Sequence, residues 1–461
     1  MSDYHPLELS WRTRAGVAIA PDSADRVQVT VDDEAPVALS PGTIDLADAL
    51  ARLHTGPGLS EEEFIRAAGT DARELARAHY ALARFISNGL LVCEVSSGAR
   101  RLATVVPRRR DFAIRASPPP DTSAILSRFA YLRRVDDALV LSCPGAACEL
   151  ALHGSDPAGW FAQAAAPVTL GCHNDPQPER SALYRLAMAH GLLEPSGHPE
   201  TPQQASWEFH DRLFHHAARS FDDLIVRGGT FRFADRFPSP AAVRAPHSGR
   251  QRALGAVSMT ESRALREVME RRRSRREMSD RPVSLAAVAE VMWRVARTSG
   301  TARTGPQDTI RRPYPSGGSL HELEFYLAVR ACDGREPGFY HYRGGAHELT
   351  ELPAPSQATD GMLATSAAAW GQPGHPPQVL VVIASRLPRL AWKYAAIAYK
   401  ISLLNAGAAI QTLSLVTTDM GLAGSAIGSG DPGLFAQATG CDPFEETSIA
   451  EFGFGIPMIG T

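Results

Sequence analysis

A proline–glycine loop that runs straight into a strand constrains this chain more than any other stretch. It extends from Arg312 to Val329. Pro313 and Pro315 fix φ and remove two backbone donors. Gly317 and Gly318 allow dihedrals closed to other residues and let another group approach the backbone. Leu323, Phe325, Leu327 and Val329 then alternate with Glu324, Tyr326 and Ala328, the period of a half-buried strand. Such a loop can hold a flat cofactor by main-chain groups. It can equally be a plain turn into a strand.

At 461 residues the chain is long enough for two or three domains. A net charge of −3 argues against a generally basic nucleic-acid binder. No run of ~20 apolar residues stands out, so no membrane span is expected. The first residues lack a basic and then apolar signal, and a cytoplasmic location is expected. Cys93, Cys143, Cys148, Cys172, Cys332 and Cys441 form no CxxC, and Cys172-His173 stands alone. They read as free, mostly buried thiols, with no metal site.

Residues 1–116 read as a small winged-helix-like unit. Val27, Val29 and Val31 alternate, a turn follows at Asp32-Asp33-Glu34, and Val37-Ala38-Leu39 completes a hairpin. Ile44 to Leu53 has helical spacing, Ser60 to Glu63 is a capping box, and a third helix from Asp71 stops at Gly89. A similar order returns over residues 121–200. Leu39-Ser40 reappears as Leu141-Ser142 and Gly89-Leu90-Leu91 as Gly191-Leu192-Leu193, and 141 − 39 = 191 − 89 = 102. Ala81-Leu82-x-Arg84 returns, one place off, as Ala182-Leu183-x-Arg185. A duplicated unit is expected, with Pro118 to Pro120 as its linker. Arg108, Arg109 and Arg110 read as a solvated patch.

Residues 201–258 read as a connector. Phe209, Leu213 and Phe214 lie on or near one face of a helix. His210, Asp211, His215 and His216 share that helix, but no later pair completes a metal site. A last domain, 259–461, opens with a helical stripe at Leu265, Val268 and Met269. It leads into Arg272, Arg273, Ser274, Arg275 and Arg276. That cluster is either a solvated basic helix end or a set of guanidinium and hydroxyl donors suited to a phosphate. Ser284 caps a helix, and Thr298 to Gln307 is a polar loop. A hairpin follows around Gly344-Gly345, and Val379 to Ala384 is a central two-sided strand. One long helix is expected from Leu390 past Lys393, Tyr394, Asn405 and Gln411 to Leu415. Gly421, Leu422, Gly424 and Gly428 form a second Gly-rich loop, and Phe452 to Gly455 a last strand.

Pro315-Ser316-Gly317-Gly318, Arg272-Arg273-Ser274-x-Arg276, the Gly421-Leu422 loop and Lys393-Tyr394 occur here in the order found in azoline dehydrogenases of the SagB type. The resemblance covers roughly residues 205–461, and a Trp-x-x-His-Asp-x-Leu-Phe-His segment at Trp207 followed by Gly228-Gly229-Thr230 belongs to it. It implies an α+β nitroreductase-like fold that dimerises, with FMN at the dimer interface. Arg272, Arg273, Ser274 and Arg276 would hold FMN together with Pro315, Ser316, Gly317, Gly318, Gln411, Gly421, Leu422 and Gly424. It implies oxidation of thiazoline and oxazoline rings to thiazoles and oxazoles in a ribosomally made peptide. Lys393 and Tyr394 would then move the proton. It also implies a precursor peptide whose leader adds to a sheet edge in a winged-helix unit, and a cyclodehydratase complex as partner. Arg275, Met278, Ala423 and Asn405 depart from the family pattern. An NAD(P)H-dependent nitroreductase or quinone reductase, or a flavin-free scaffold, remains the alternative.

Overall fold

The structure is a computed structural model. It describes residues 7–23, 26–31, 37–39, 47–56, 58–68, 71–115, 118–119, 121–171, 175–197, 199–219, 224, 227–259 and 261–458. The turn at 32–34, Ser40, residues 44–46, Pro120, Cys172 and His173 lie outside them. Two compact units appear, residues 1–225 and 226–461, and the division falls inside the expected connector.

The first unit opens with β1 (Glu8–Thr13) and the meander β2 (Val17–Ser23), β3 (Arg26–Val31) and β4 (Val37–Leu39). Three helices follow: α1 (Ala47–Thr55), α2 (Glu61–Ala68) and α3 (Ala72–Ser87). Ser60 and Glu63 form the expected reciprocal cap of α2, and Asp71 with Glu74 caps α3. Strands β5 (Leu91–Ser97) and β6 (Arg100–Pro107) close this half.

The second half also opens with a strand and a three-stranded meander, but a short strand stands between its two helices. It runs β7 (Ser123–Leu126), the meander β8 (Tyr131–Val135), β9 (Ala138–Ser142) and β10 (Cys148–Leu152), and α4 (Ser155–Gln163). Then come β11 (Val168–Thr169), α5 (Pro178–Ala189) and β12 (Leu193–Pro195). In each half the strand after the last long helix pairs antiparallel with the first strand: β5 with β1, and β12 with β7. The Gly-Leu-Leu correspondence survives at that corner. Gly89 and Gly191 both end a helix at positive φ, 70° and 83°, and each leads buried leucines into a strand.

The Leu39–Leu141 correspondence does not survive. Leu39 ends β4, the third strand of its meander, whereas Leu141 lies in β9, the middle strand of the other. A single 102-residue offset therefore fails, because loops and meander strands differ in length while the helix–glycine–strand corner is kept by its geometry. Strands of both halves hydrogen-bond into one sheet, β1-β5-β6-β10-β9-β8. They also share one core containing Trp11, Phe64, Phe85, Leu141, Trp160 and Phe161. The unit ends with α6 (Pro202–Ala205) and α7 (Phe209–Arg219). Phe209 and Phe214 on α7 are exposed. Glu208, His210 and Asp211 cluster there, all exposed, without His215 or His216.

The second unit begins with β13 (Gly228–Gly229), β14 (Gln251–Ala253), α8 (Leu265–Arg271), β15 (Val283–Ser284) and α9 (Leu285–Ala296), the last capped by Ser284. The expected polar loop at 298–307 is instead a hairpin of β16 (Gly300–Thr304) and β17 (Gln307–Arg311). Its strand pairing satisfies the polar backbone. After a 3-10 turn at Gly317–Ser319 come β18 (Leu323–Val329), β19 (Cys332–Asp333), β20 (Gly338–Arg343), β21 (Glu348–Leu352), α10 (Ser356–Ala369) and β22 (Val379–Ser385). The chain finishes with α11 (Leu387–Ala391), β23 (Tyr394–Ala395), α12 (Ala398–Asp419), β24 (Ala423–Ile427), α13 (Pro432–Thr439) and β25 (Thr447–Gly455).

The sheet order is β14-β21-β20-β18-β22-β25-β24, antiparallel throughout. Strand β18 was expected to be half-buried, but all seven of its residues are buried. Its period of two divides two cores rather than core and solvent. Leu323, Phe325, Leu327 and Val329 face one core, and Tyr326 and Ala328 the other. The expected helix from Leu390 to Leu415 is broken. A short α11 ends at Ala391, Ala396 takes a φ of 61°, and α12 starts at Ala398. By length and composition α12 could cross a membrane. Here Asn405, Ala406, Ala409, Leu413 and Val416 are buried against the unit. The second Gly-rich loop is likewise shorter than expected, since residues 423–427 are strand.

Glu451 on β25 is buried, and its Oε2 has no hydrogen-bond partner among the described residues. Burial, reinforced by Asp431, pushes its carboxyl up to about 7. An unfolded glutamate titrates near ~4.3. The stability tied to its neutral form is therefore full below that value and lost as pH rises through about 7. Wild-type unfolding free energy should fall by on the order of a few kcal/mol between pH 4 and pH 8. Glu451→Gln should flatten that slope in denaturant titrations. An unchanged slope would assign the pH dependence elsewhere.

Candidate active site

The Gly-rich loop is held from beneath by a buried polar network. Asn405, on α12, donates from Nδ2 to Ser316 Oγ at 3.0 Å and to both Glu322 oxygens at 3.1 and 2.9 Å. Its Oδ1 accepts the Gly317 amide at 3.1 Å. Ser402, one turn earlier, donates to Glu322 Oε1 at 3.0 Å. Burial raises the Glu322 pKa, opposed by its own backbone and by the Ser402 and Asn405 hydrogen bonds. Arg389 is fully buried and donates to the carbonyls of Leu320, Pro240 and Asp308, tying down the loop's end. Gly318, Ser319 and His321 all have positive φ. Only Gly318 adopts it without strain. Asn405 departs from the family pattern, and its role here is to pin Ser316, Gly317 and Glu322 together.

Asn405→Leu should leave the Gly317 amide without its partner and take from Glu322 the two bonds that Asn405 donates, each loss costing ~1–3 kcal/mol. The melting temperature should drop, and hydrogen exchange at Gly317 should speed up. Unchanged protection at Gly317 would show that the loop does not depend on Asn405.

Over this loop stand the two residues expected to move a proton. A Cβ added to Gly318 would lie 2.6 Å from the Tyr394 hydroxyl and 2.9 Å from Lys393 Nζ. At Gly317 it would meet Ile401 Cγ2 at 2.4 Å. Neighbours on a helix would diverge by ~100°. The broken helix removes that constraint: Tyr394 sits on β23, four residues before α12, and both polar tips reach Gly318. Strand β13 pairs with β23, Gly229 against Tyr394. It brings Phe231, whose ring centroid is 5.5 Å from Lys393 Nζ.

Behind the loop, Glu324 receives His341 Nε2 at 3.3 Å and lies near Arg312 and Arg386. Burial alone would raise this carboxyl, but His341 and the two arginines outweigh it and hold it at about 2. His321, buried beside Arg312 and Arg389, is pushed down to about 4, burial being the largest cause.

The other expected cofactor residues lie elsewhere. Arg272 caps α8, and Arg273, Ser274 and Arg276 follow it on the exposed surface. No ion-pair or hydrogen-bond partner of the Arg272 and Arg276 side chains occurs among the described residues. The Arg275 amide donates to Gly424 O at 3.1 Å, which brings the arginine run to the Gly421-Leu422-Ala423-Gly424 segment. Gln411 is exposed midway along α12. The chain thus gathers two groups of residues, near opposite ends of a helix that spans Ala398–Asp419. At ~1.5 Å per residue that helix is about 33 Å long. Sequence reasoning missed Glu322, Ser402, Arg389 and Phe231. An aromatic after Gly-Gly-Thr was the only signal for Phe231, and the others carried none.

Residues 269–456 match the Nitroreductase family, and residues 124–222 match the family described as cyanobactin oxidase ThcOx. The second match reaches well into the first unit, beyond the segment where the resemblance was expected to begin. No curated protein matches the chain. Among solved structures, one assigned as a nitroreductase from Ralstonia eutropha JMP134 is 20% identical over 48% of this chain and 95% of its own, with a TM-score of 0.37. Another, from Anabaena variabilis ATCC 29413, is 13% identical over 86% and 91%, with a TM-score of 0.39. The E. coli microcin synthetase McbBCD complex with truncated pro-MccB17 bound matches at 18% identity over 50% and 87%, with a TM-score of 0.35.

Proposed function

From the premise that residues 269–456 form a nitroreductase-family domain, we propose that this protein is an FMN-dependent azoline dehydrogenase. It oxidises thiazoline or oxazoline rings to thiazoles or oxazoles in a ribosomally made peptide. The observation that carries this reading is the convergence of Lys393 Nζ and the Tyr394 hydroxyl on Gly318. Reduction of a nitro group or quinone by a flavin needs no such pair.

The donor set fits FMN. Arg272, Ser274 and Arg276 offer guanidinium and hydroxyl donors within five residues, uncommitted among the described residues, and these suit a phosphate. Pro315, Ser316, Gly317, Gly318, Gln411, Gly421, Leu422 and Gly424 would hold the rest, with Arg273 adding charge beside the phosphate. When bound, FMN supplies the two-electron oxidation. Aromatisation also requires loss of a proton from the ring. We assign Tyr394 to accept it, with the Lys393 ammonium as its charged neighbour over Gly318. Because the two groups of residues lie apart in one chain, the reading includes a homodimer that completes each site. Exposed Tyr399, Leu403 and Leu404 on α12, with Leu265 and Met269 on α8, offer an apolar face for it. A precursor peptide with its leader, a cyclodehydratase complex and a cytoplasmic setting complete the proposal, as does the division into winged-helix-like units at 1–116 and 121–200, a connector and a catalytic domain from 259.

The test is direct. Purified protein should be yellow, and incubation with an azoline peptide should remove two hydrogens per ring by mass spectrometry. Yellow protein that reduces nitroarenes with NAD(P)H and leaves azolines untouched would support the plain nitroreductase instead.

A further inference from the structure

Lysine is almost absent from this chain. Of 47 Lys and Arg residues only two are lysines, Lys393 and Lys400. Arginine cannot deprotonate in a protein, and its planar fork differs from a compact ammonium. Lys393 therefore supplies a compact ammonium of a kind that arginine does not. Its surroundings are equally specific. The Lys393 ammonium lies 5.5 Å from the Phe231 ring centroid and 5.2 Å from that of Tyr394. No carboxylate stands within ion-pair distance of it among the described residues. Phe231 reaches this place at a cost: its φ is 53°, a left-handed conformation that is strained for an aromatic residue. Three contacts impose that backbone. Its amide donates to the Lys393 carbonyl at 3.0 Å, Gly229 pairs with Tyr394, and its ring meets Trp392 edge-on at 5.9 Å.

We propose that Phe231 is a positioning residue for Lys393, holding the ammonium between two aromatic faces above Gly318. This rests on the reading of Lys393 and Tyr394 as the proton-transfer pair. A carboxylate partner would neutralise the ammonium and draw it away. An aromatic face attracts it without cancelling its charge. The charge then stays directed at the Tyr394 oxygen and at the space over the glycine loop. The segment before the catalytic domain thereby becomes part of the site, through one aromatic ring.

Reductive methylation with carbon-13 formaldehyde would label only Lys393, Lys400 and the terminal amine. Lys393→Arg assigns the first resonance. In the purified protein the Lys393 methyl signal should be shifted upfield by ring currents, in Phe231→Leu it should move most of the way to the free-lysine position, and in Phe231→Tyr it should stay. Azoline oxidation should fall at least tenfold in kcat for Phe231→Leu, with KM little changed, and be largely retained in Phe231→Tyr. A Lys393 resonance unmoved by Phe231→Leu, or full turnover in that variant, overturns the proposal. If the spectra behave as stated but wild-type protein oxidises no azoline, the positioning stands and the azoline reading fails.

Discussion

Lys393→Ala and Tyr394→Phe should each lose on the order of 10²-fold or more in azoline oxidation, the usual contribution of a general base. Both variants should stay yellow and dimeric. The reason is spatial. The two polar tips meet over Gly318, whereas the arginines proposed to bind FMN lie in a different segment, next to Gly424. Flavin photoreduction and reoxidation by oxygen should therefore remain near normal. Lys393→Arg discriminates further. It keeps a cation near the hydroxyl, so substantial activity in it would assign Lys393 an electrostatic role and leave the base to Tyr394. Full azoline oxidation by the double variant Lys393→Ala/Tyr394→Phe would make the pair structural.

The second large effect is on cofactor retention. Arg272→Ala/Arg276→Ala should remove two charge-assisted partners worth ~1.5–3 kcal/mol each. The sum corresponds to a loss of at least about 10²-fold in affinity, enough for flavin to leave during purification. Arg276 is exposed and Arg272 half-buried, and neither side chain has an ion-pair or hydrogen-bond partner among the described residues. Folding should survive, so a colourless protein with an unchanged circular dichroism spectrum and melting curve in the apo form is expected. A variant that purifies fully loaded would remove these residues from the site and shift attention to Arg273 and Arg275.

Local pattern was enough wherever one segment's own chemistry decides its shape. The capping box at Ser60, the helix start at Asp71, the Ser284 cap and the glycine stop at Gly89 all appear as expected. The hairpin around Gly344 and the two-sided strand Val379–Ser385 do too. The nitroreductase-like fold that the order of motifs implied was legible too, and residues 269–456 match the Nitroreductase family.

What needed the tertiary structure was anything set by a distant neighbour. Apolar periodicity could not show that α12 starts only at Ala398, because the break comes from β13 pairing with Tyr394 and Ala395. Strand β18 alternates for two cores, and alternation alone cannot distinguish a second core from solvent. The 102-residue offset joined one real equivalence to one coincidence, and only strand pairing separates them. Asn405 was visible as a departure, but its function depends on Glu322, which lies 83 positions away, and on a serine and an amide in the loop. Motifs tell which residues are available. Long-range hydrogen bonds and strand register decide which of them meet.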